Sequence, residues 1–406
     1  MSTLREDAKY IYTRAIEAVL PDEAVRRALD GADFPGRVIL VAAGKAAWRM
    51  ASAAVSALGE RIDTGIVITK YGHAQGTIPG VVCREAGHPV PDENSFSAAR
   101  EALALTENLT ADDTVLFLLS GGGSALFESP LVPGAELQDI TAQLLACGAD
   151  IVEIRKRLSA VKGGRFARHC VPAHVFAVIL SDIVGDPVDM IASGPVSPDS
   201  STCADALAAA EKYALRLSDT ARGLLAQETP KTADNVTVRV TGSVRELCAA
   251  AAKACRDLGY TPEILTDCEQ GVAREVGARL GALARENASC GTPRAFILGG
   301  ETVVRLTGNG KGGRNQELAL AAAAEIAGTE NIVVFSVGSD GTDGPTDAAG
   351  GLADGGTVER LAAAGKTVAD VLQNNDAYHA LRDTGDLIIT GPTGTNVNDF
   401  AAALVR

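Results

Sequence analysis

The chain has 406 residues, 46% of them apolar, enough to bury a large core and to favour two domains over one or three. A net charge of −14 with scarce aromatics excludes a broad nucleic-acid surface, which needs many Lys and Arg on one face and rings for base stacking. A small anionic substrate stays compatible, because a few local cations or a metal can reverse the sign of the field inside a cleft.

Apolar positions at Leu4, Ala8, Ile11, Ala15 and Val19 predict a helix that Pro21 ends. Strands are then expected at Val38 to Val41, Gly65 to Thr69, Thr114 to Leu119 and Val175 to Leu180, with an Ala-rich helix from about Ala46. Alternation of this kind implies an α/β fold with a parallel sheet covered on both faces. Residues 199–233 are polar and helical in pattern, and the strand pattern resumes at Asn235, so the domain boundary is placed there: residues 1–234 and 235–406. The second half reads as a helix Ser243 to Leu258, a strand Pro262 to Thr266, a helix to Glu286, and strands at Arg294 to Leu298 and Val303 to Leu306. A helix from Asn315 and a strand Ile332 to Val337 follow, making a second, smaller α/β unit.

No apolar stretch approaches the ~20 residues that span a bilayer. Eight cysteines without a C-x-x-C pair or a secretory leader read as reduced thiols of a cytoplasmic protein, and the five histidines show no zinc spacing.

The loops after the strands carry the chemistry. Ser120-Gly121-Gly122-Gly123-Ser124 follows a β-forming run, and its bare backbone N–H groups can close around an anion, although a tight turn is the equal alternative. Lys45 follows the first strand at a helix start, where the dipole disfavours a cation unless an anion is near. Asp182, Asp186 and Asp189 cluster after the strand ending at Leu180, a set suited to a hard divalent cation that keeps water or phosphate oxygens. Gly308, Gly310 and Gly313 formally satisfy G-x-G-x-x-G, yet Thr307-Gly308-Asn309-Gly310 resembles hairpin chemistry more closely. Arg314 offers a planar fork for a carboxylate. Ser339 to Asp347 is a glycine-rich acidic loop with the wrong spacing for an EF-hand.

Taken together, Gly44-Lys45-Ala46-Ala47, Gly87 to Asp92, Ser120 to Leu126, Lys162-Gly163-Gly164, Ser181 to Pro195, Gly299 to Thr302, Gly313 to Glu317, Gly338 to Asp347 and Thr390 to Asp399 resemble, in order, the glycerate 2-kinase family. The resemblance implies a Rossmann-like large domain, a smaller C-terminal α/β domain containing the MOFRL module at about residues 290–400, and an active site in the cleft between them. It implies transfer of the γ-phosphoryl group of ATP, with Mg2+, to the 2-hydroxyl of D-glycerate, with no nucleic-acid or membrane partner and the choice between monomer and homo-oligomer left open. By position, Lys45 would neutralise phosphate charge, Ser120, Gly121, Gly122, Gly123 and Ser124 would hold phosphates, and Asp189 would be the catalytic carboxylate. Arg314 with Asn315 would bind the substrate; the chemistry of Asp182 and Asp186, rather than the resemblance, is what suits them to hold the metal. Val152 and Arg157 depart from residues frequent in the family, Asn and His, which bears on the acceptor pocket. Relatives are also named hydroxypyruvate reductases, so an NAD(P)H-dependent reductase using Gly308 to Gly313 is the competing reading. A nucleotide-binding regulator without turnover is the third.

Overall fold

Two α/β units, each around a six-stranded sheet, emerge from the alternation in a computed structural model that describes residues 3–146 and 152–406. One unit comprises residues 21–181 and 186–241; the other comprises residues up to 20, 182–185 and 242–406.

In the first unit β1 (Val38–Ala43), β2 (Ile62–Lys70), β3 (Val81–Ala86), β4 (Thr114–Leu119), β5 (His174–Ile179) and β6 (Val236–Val240) form a sheet in the order β3-β2-β1-β4-β5-β6. Every pair in it is parallel. This is the doubly wound Rossmann order, whose ligand crevice lies where the winding reverses, between β1 and β4. All six residues of β1 and of β4 are buried, because helices cover both faces. Leu40, Ala42, Leu116 and Leu118 pack under the helices Pro21–Leu29 and Ala47–Leu58. On the opposite face Phe117, Phe127 and Phe166 meet with ring centroids 5.1 to 5.6 Å apart. Each fully buried ring contributes roughly 1.5–3 kcal/mol of burial, which anchors the segment just beyond β4.

The boundary drawn at residue 234 from the sequence is displaced. β6 joins the first sheet by pairing with β5, so the division falls at 241/242. The amino-terminal helix Leu4–Ala18, which sequence order assigned to the first unit, packs instead in the second, with Ala8, Ile11 and Ala15 in one core with Leu247, Ala251 and Phe335. Polar contacts fix it there: Tyr260 Oη donates to Asp7 at 2.6 Å, Arg406 pairs with Asp7, and Arg5 reaches Asp354 and Asp386.

The second unit holds β7 (Thr261–Glu269), β8 (Arg294–Gly300), β9 (Ile332–Gly338), β10 (Gly350–Asp354), β11 (Leu387–Ile388) and β12 (Asp399–Val405) in the order β11-β10-β9-β12-β8-β7. The sheet is mixed, because β12 runs antiparallel to both β8 and β9 while β7 and β8 are parallel. The strand expected at Val303 to Leu306 is absent; apart from a single bridge at Val303 this segment is loop, with Leu306 81% exposed. Helices Ala273–Glu286 and Arg314–Glu325 pack backbone to backbone at Gly277, where a Cβ would lie 2.1 Å from Leu318 O, so that position accepts only glycine. This contact holds Arg314 at the start of its helix in a fixed place.

Candidate active site

At the crossover of the first sheet the loops after β1 and β4 are stitched together. Lys45 N donates to Gly121 O at 2.9 Å, Ser120 N to Ala43 O at 3.0 Å, and Ser120 Oγ accepts from Ala46 N at 3.0 Å. Gly44 (φ +125°) lies so close that a Cβ would sit 2.2 Å from Ser120 Oγ. Among the described residues, the N–H groups of Gly121 and Gly122 have no acceptor, so two donors stand open beside Lys45. The Lys45 ammonium itself forms no ion pair among the described residues, and its stem passes Gly122. Ser124 Oγ lies 2.9 Å from Ser193 Oγ. Open N–H groups and an ammonium without an ion pair among the described residues stand together at the topological switch point, the kind of donors a phosphate-sized anion takes.

Asp189 is held beside this region by Lys156 (3.3 Å) and Ser200 Oγ (2.5 Å). Burial works to raise its carboxyl pKa, but the Ser200 hydroxyl and the Lys156 ammonium outweigh it, and Asp189 stays below the ordinary carboxylate range. Lys156 also reaches Asp199 (2.8 Å), whose carboxyl is held down at about 2 against the effect of burial by Lys156, Thr229 and the Ser201 N–H. Arg157 lies in the same buried network, 3.4 Å from Asp199 and 3.0 Å from Ser201 Oγ. Arg157 thus supports Asp199 from within the core. The side chain of Val152 lies outside the described residues.

Of the two carboxylates expected to hold metal, Asp186 adopts φ +54° and its buried Oδ1 has no hydrogen-bond partner among the described residues, a hard oxygen of the kind a cation takes. Asp182 is half-buried on the segment after β5. No three or more His, Cys, Asp or Glu side chains among the described residues converge on a metal position.

In the second unit Arg314 begins its helix with its fork already engaged. Nε meets Asp399 Oδ2 at 2.5 Å, a terminal nitrogen meets Asp399 Oδ1 at 3.3 Å, and the other meets Glu301 at 2.8 Å. Burial, with the like charge of Asp343, holds the Asp399 carboxyl up at about 6 despite Arg314. Arg314 lines a cavity of about 780 Å³ with Gly308, Gly310, Gly313, Asp340 and Thr342. Asn315, expected to touch substrate, is instead buried; its amide donates to Asp343 (3.3 Å) and accepts from Ser336 Oγ (2.5 Å). The reason is the helix start: Asp343 accepts from the Asn315 and Gln316 N–H groups at 3.1 and 2.9 Å, a cap supplied from the acidic loop. Asp343→Ala is expected to cost about 2 kcal/mol in chemical denaturation, since two buried N–H donors lose their acceptor. An unchanged midpoint would remove Asp343 from that role.

The G-x-G-x-x-G segment follows no strand. A Cβ at Gly308 would lie 2.4 Å from Asn374 Cα and one at Gly310 2.5 Å from Asp376 Cβ, while the Asn375 amide oxygen accepts from the Thr307 and Gly308 N–H groups. These glycines admit a neighbouring chain segment; they form neither the expected hairpin nor a dinucleotide turn.

Residues 7–226 match a family described as a domain of unknown function (DUF4147), and residues 294–399 match the MOFRL family. A D-glycerate 2-kinase from Thermotoga maritima is 50% identical over 99% of both chains. The chain belongs to the glycerate 2-kinase family. A crystal structure of glycerate kinase from the same organism superposes with a TM-score of 0.95, covering 99% of each chain. A 40% identical relative from Agrobacterium vitis, aligned over 99% of this chain and 94% of its own, bears the provisional name hydroxypyruvate reductase. The glycerate 2-kinase kinship spans both units, and the MOFRL match covers Arg314, Asp343 and Asp399.

Proposed function

We propose that this chain is an ATP-dependent phosphotransferase that moves the γ-phosphoryl group to the 2-hydroxyl of D-glycerate, releasing ADP and 2-phospho-D-glycerate. The observation that carries the reading is the cradle at the β1/β4 switch point, with an ammonium and two backbone donors unsatisfied among the described residues, in a chain half identical to a D-glycerate 2-kinase along its whole length. Phosphoryl transfer needs positioning and charge neutralisation more than covalent chemistry, and such a cradle supplies both.

In this reading Lys45 and the Ser120 to Ser124 loop hold the phosphates. Arg314 takes the glycerate carboxylate with the guanidinium edge now facing Glu301, the more exposed of its two partners. Asp189, kept ionised by Lys156 and Ser200, accepts the proton of the 2-hydroxyl as the new O–P bond forms and the bond to the β-phosphate oxygen breaks. Asp182 and the Asp186 Oδ1 oxygen would hold Mg2+, which when bound neutralises charge on the β- and γ-phosphates. Asn315 acts through Arg314 by fixing the helix start.

No helix among the described residues is long and apolar enough to cross a membrane. The seven described cysteines are free thiols, which accords with a reducing cytoplasm.

The test is ADP release from ATP and Mg2+ with and without D-glycerate, run beside NADH and NADPH oxidation with hydroxypyruvate on the same preparation. Glycerate-dependent ADP release is expected. Nicotinamide oxidation without ADP release would overturn the proposal.

A further inference from the structure

A chain of net charge −14 gathers an unusual set of basic groups beyond the carboxyl ends of β1, β2 and β4. Lys45, Lys70, His73 and Arg155 all act electrostatically on His88, and none of the five forms an ion pair with a carboxylate among the described residues. His88 stands against the glycine loop: a Cβ at Gly122 would lie 3.0 Å from its Nε2 and 3.3 Å from Lys45 Cγ. Burial first, then the surrounding cations, push the His88 imidazole below its ordinary range, so it faces the loop as a neutral ring.

Arg155 is the least expected member. It is half-buried on the helix Val152–Arg157, and its guanidinium donates to Ser124 Oγ at 3.2 Å, the last hydroxyl of the glycine loop. Among the described residues the counter-charge that acts on it is Glu128, which is claimed by the fully buried Lys162, whose ammonium also donates to Ser124 O at 2.7 Å. Among the described residues two cations thus share one carboxylate under the loop. Burial lowers the Arg155 pKa, so the position opposes the charge it carries. Among the described residues the guanidinium is held on one neutral hydroxyl bond, which stabilises the fold poorly and suits an anion arriving from outside.

We propose that Arg155 is a phosphate ligand, holding a phosphoryl group of the nucleotide together with Lys45 and the open Gly121 and Gly122 N–H groups. This deepens the phosphotransferase reading and rests on it for the identity of the anion as a nucleotide phosphate. The other anion of the reaction, the glycerate carboxylate, is assigned elsewhere and provides the contrast.

The test titrates inorganic tripolyphosphate into the full-length chain by calorimetry, for the wild type, Arg155→Gln and Arg155→Lys, with the Tm of each measured without ligand. Arg155→Gln is expected to weaken tripolyphosphate about tenfold, or about 1.4 kcal/mol, with a Tm equal to or above that of the wild type. Arg155→Lys should retain part of the affinity, and in turnover the KM for ATP should rise while that for D-glycerate stays within about twofold. Unchanged tripolyphosphate affinity in a folded Arg155→Gln overturns the proposal, as does a rise confined to the KM for D-glycerate. A lowered Tm in both variants with no recovery of affinity in Arg155→Lys makes the residue structural and also overturns it. Should the wild type release no ADP with D-glycerate while Arg155→Gln still loses tripolyphosphate, the phosphotransferase reading falls and the anion assignment of Arg155 stands.

Discussion

Lys45→Met is expected to lower kcat/KM for D-glycerate phosphorylation on the order of a hundredfold, about 2.7 kcal/mol of transition-state stabilisation, with Tm unchanged. The reasoning follows from what the ammonium touches. It has no carboxylate partner among the described residues, so its removal unpairs none of them, and the main-chain bond from Lys45 N to Gly121 O survives any side-chain change. Methionine keeps the stem that passes Gly122, so the loop geometry is retained while the charge is lost. Wild-type kinetics in a folded variant, checked by circular dichroism, would remove Lys45 from the site.

Arg314→Ala should show a comparable loss in kcat/KM together with a stability cost that depends on pH. Asp399 is buried, and without Arg314 its carboxylate faces Asp343 with no ion-pair partner among the described residues; breaking such a pair costs on the order of 3 kcal/mol. The sign follows from linkage. The Asp399 carboxyl titrates at about 6 in the folded chain against an ordinary 3.8, so the folded state holds the extra proton in this window. Stability contributed by this group therefore falls as pH rises through the window and is lowest above it. Removing Arg314 raises the Asp399 pKa further, so the variant suffers most at pH 8 and least at pH 5, where Asp399 is neutral. Denaturation midpoints at the two pH values measure this. Equal losses at both would show that Asp399 is not the group left exposed by the substitution.

Much of the first unit was legible because its signals are local. β1 and β4 are continuous apolar runs, and the loops that follow them contain the residues that form the cradle. β12 was not, because Asp399–Val405 is alanine-rich and has little strand character of its own; it becomes a strand through pairing with β8 and β9, far away in sequence. The reverse error occurred at Val303 to Leu306, where β-forming residues find no partner strand beyond a single bridge and remain loop.

The candidate site divides in the same way. Lys45, the glycine loop and Arg314 stand at sequence-visible junctions between strands and helices. The cap from Asp343, the Lys156 and Arg157 network around Asp199, and the contact of Arg155 with Ser124 are products of tertiary packing. Asn315 illustrates the difference: its place beside Arg314 in the sequence pointed to the substrate, whereas helical geometry turns it inward to Asp343 and Ser336.

The position of the phosphate on the product tests the account most directly. With ATP, Mg2+ and D-glycerate, phosphorus-coupled proton NMR should show coupling to the single proton at carbon 2, as in 2-phospho-D-glycerate. Coupling to the carbon 3 protons, or hydroxypyruvate reduction with no phosphorylated product, would contradict it.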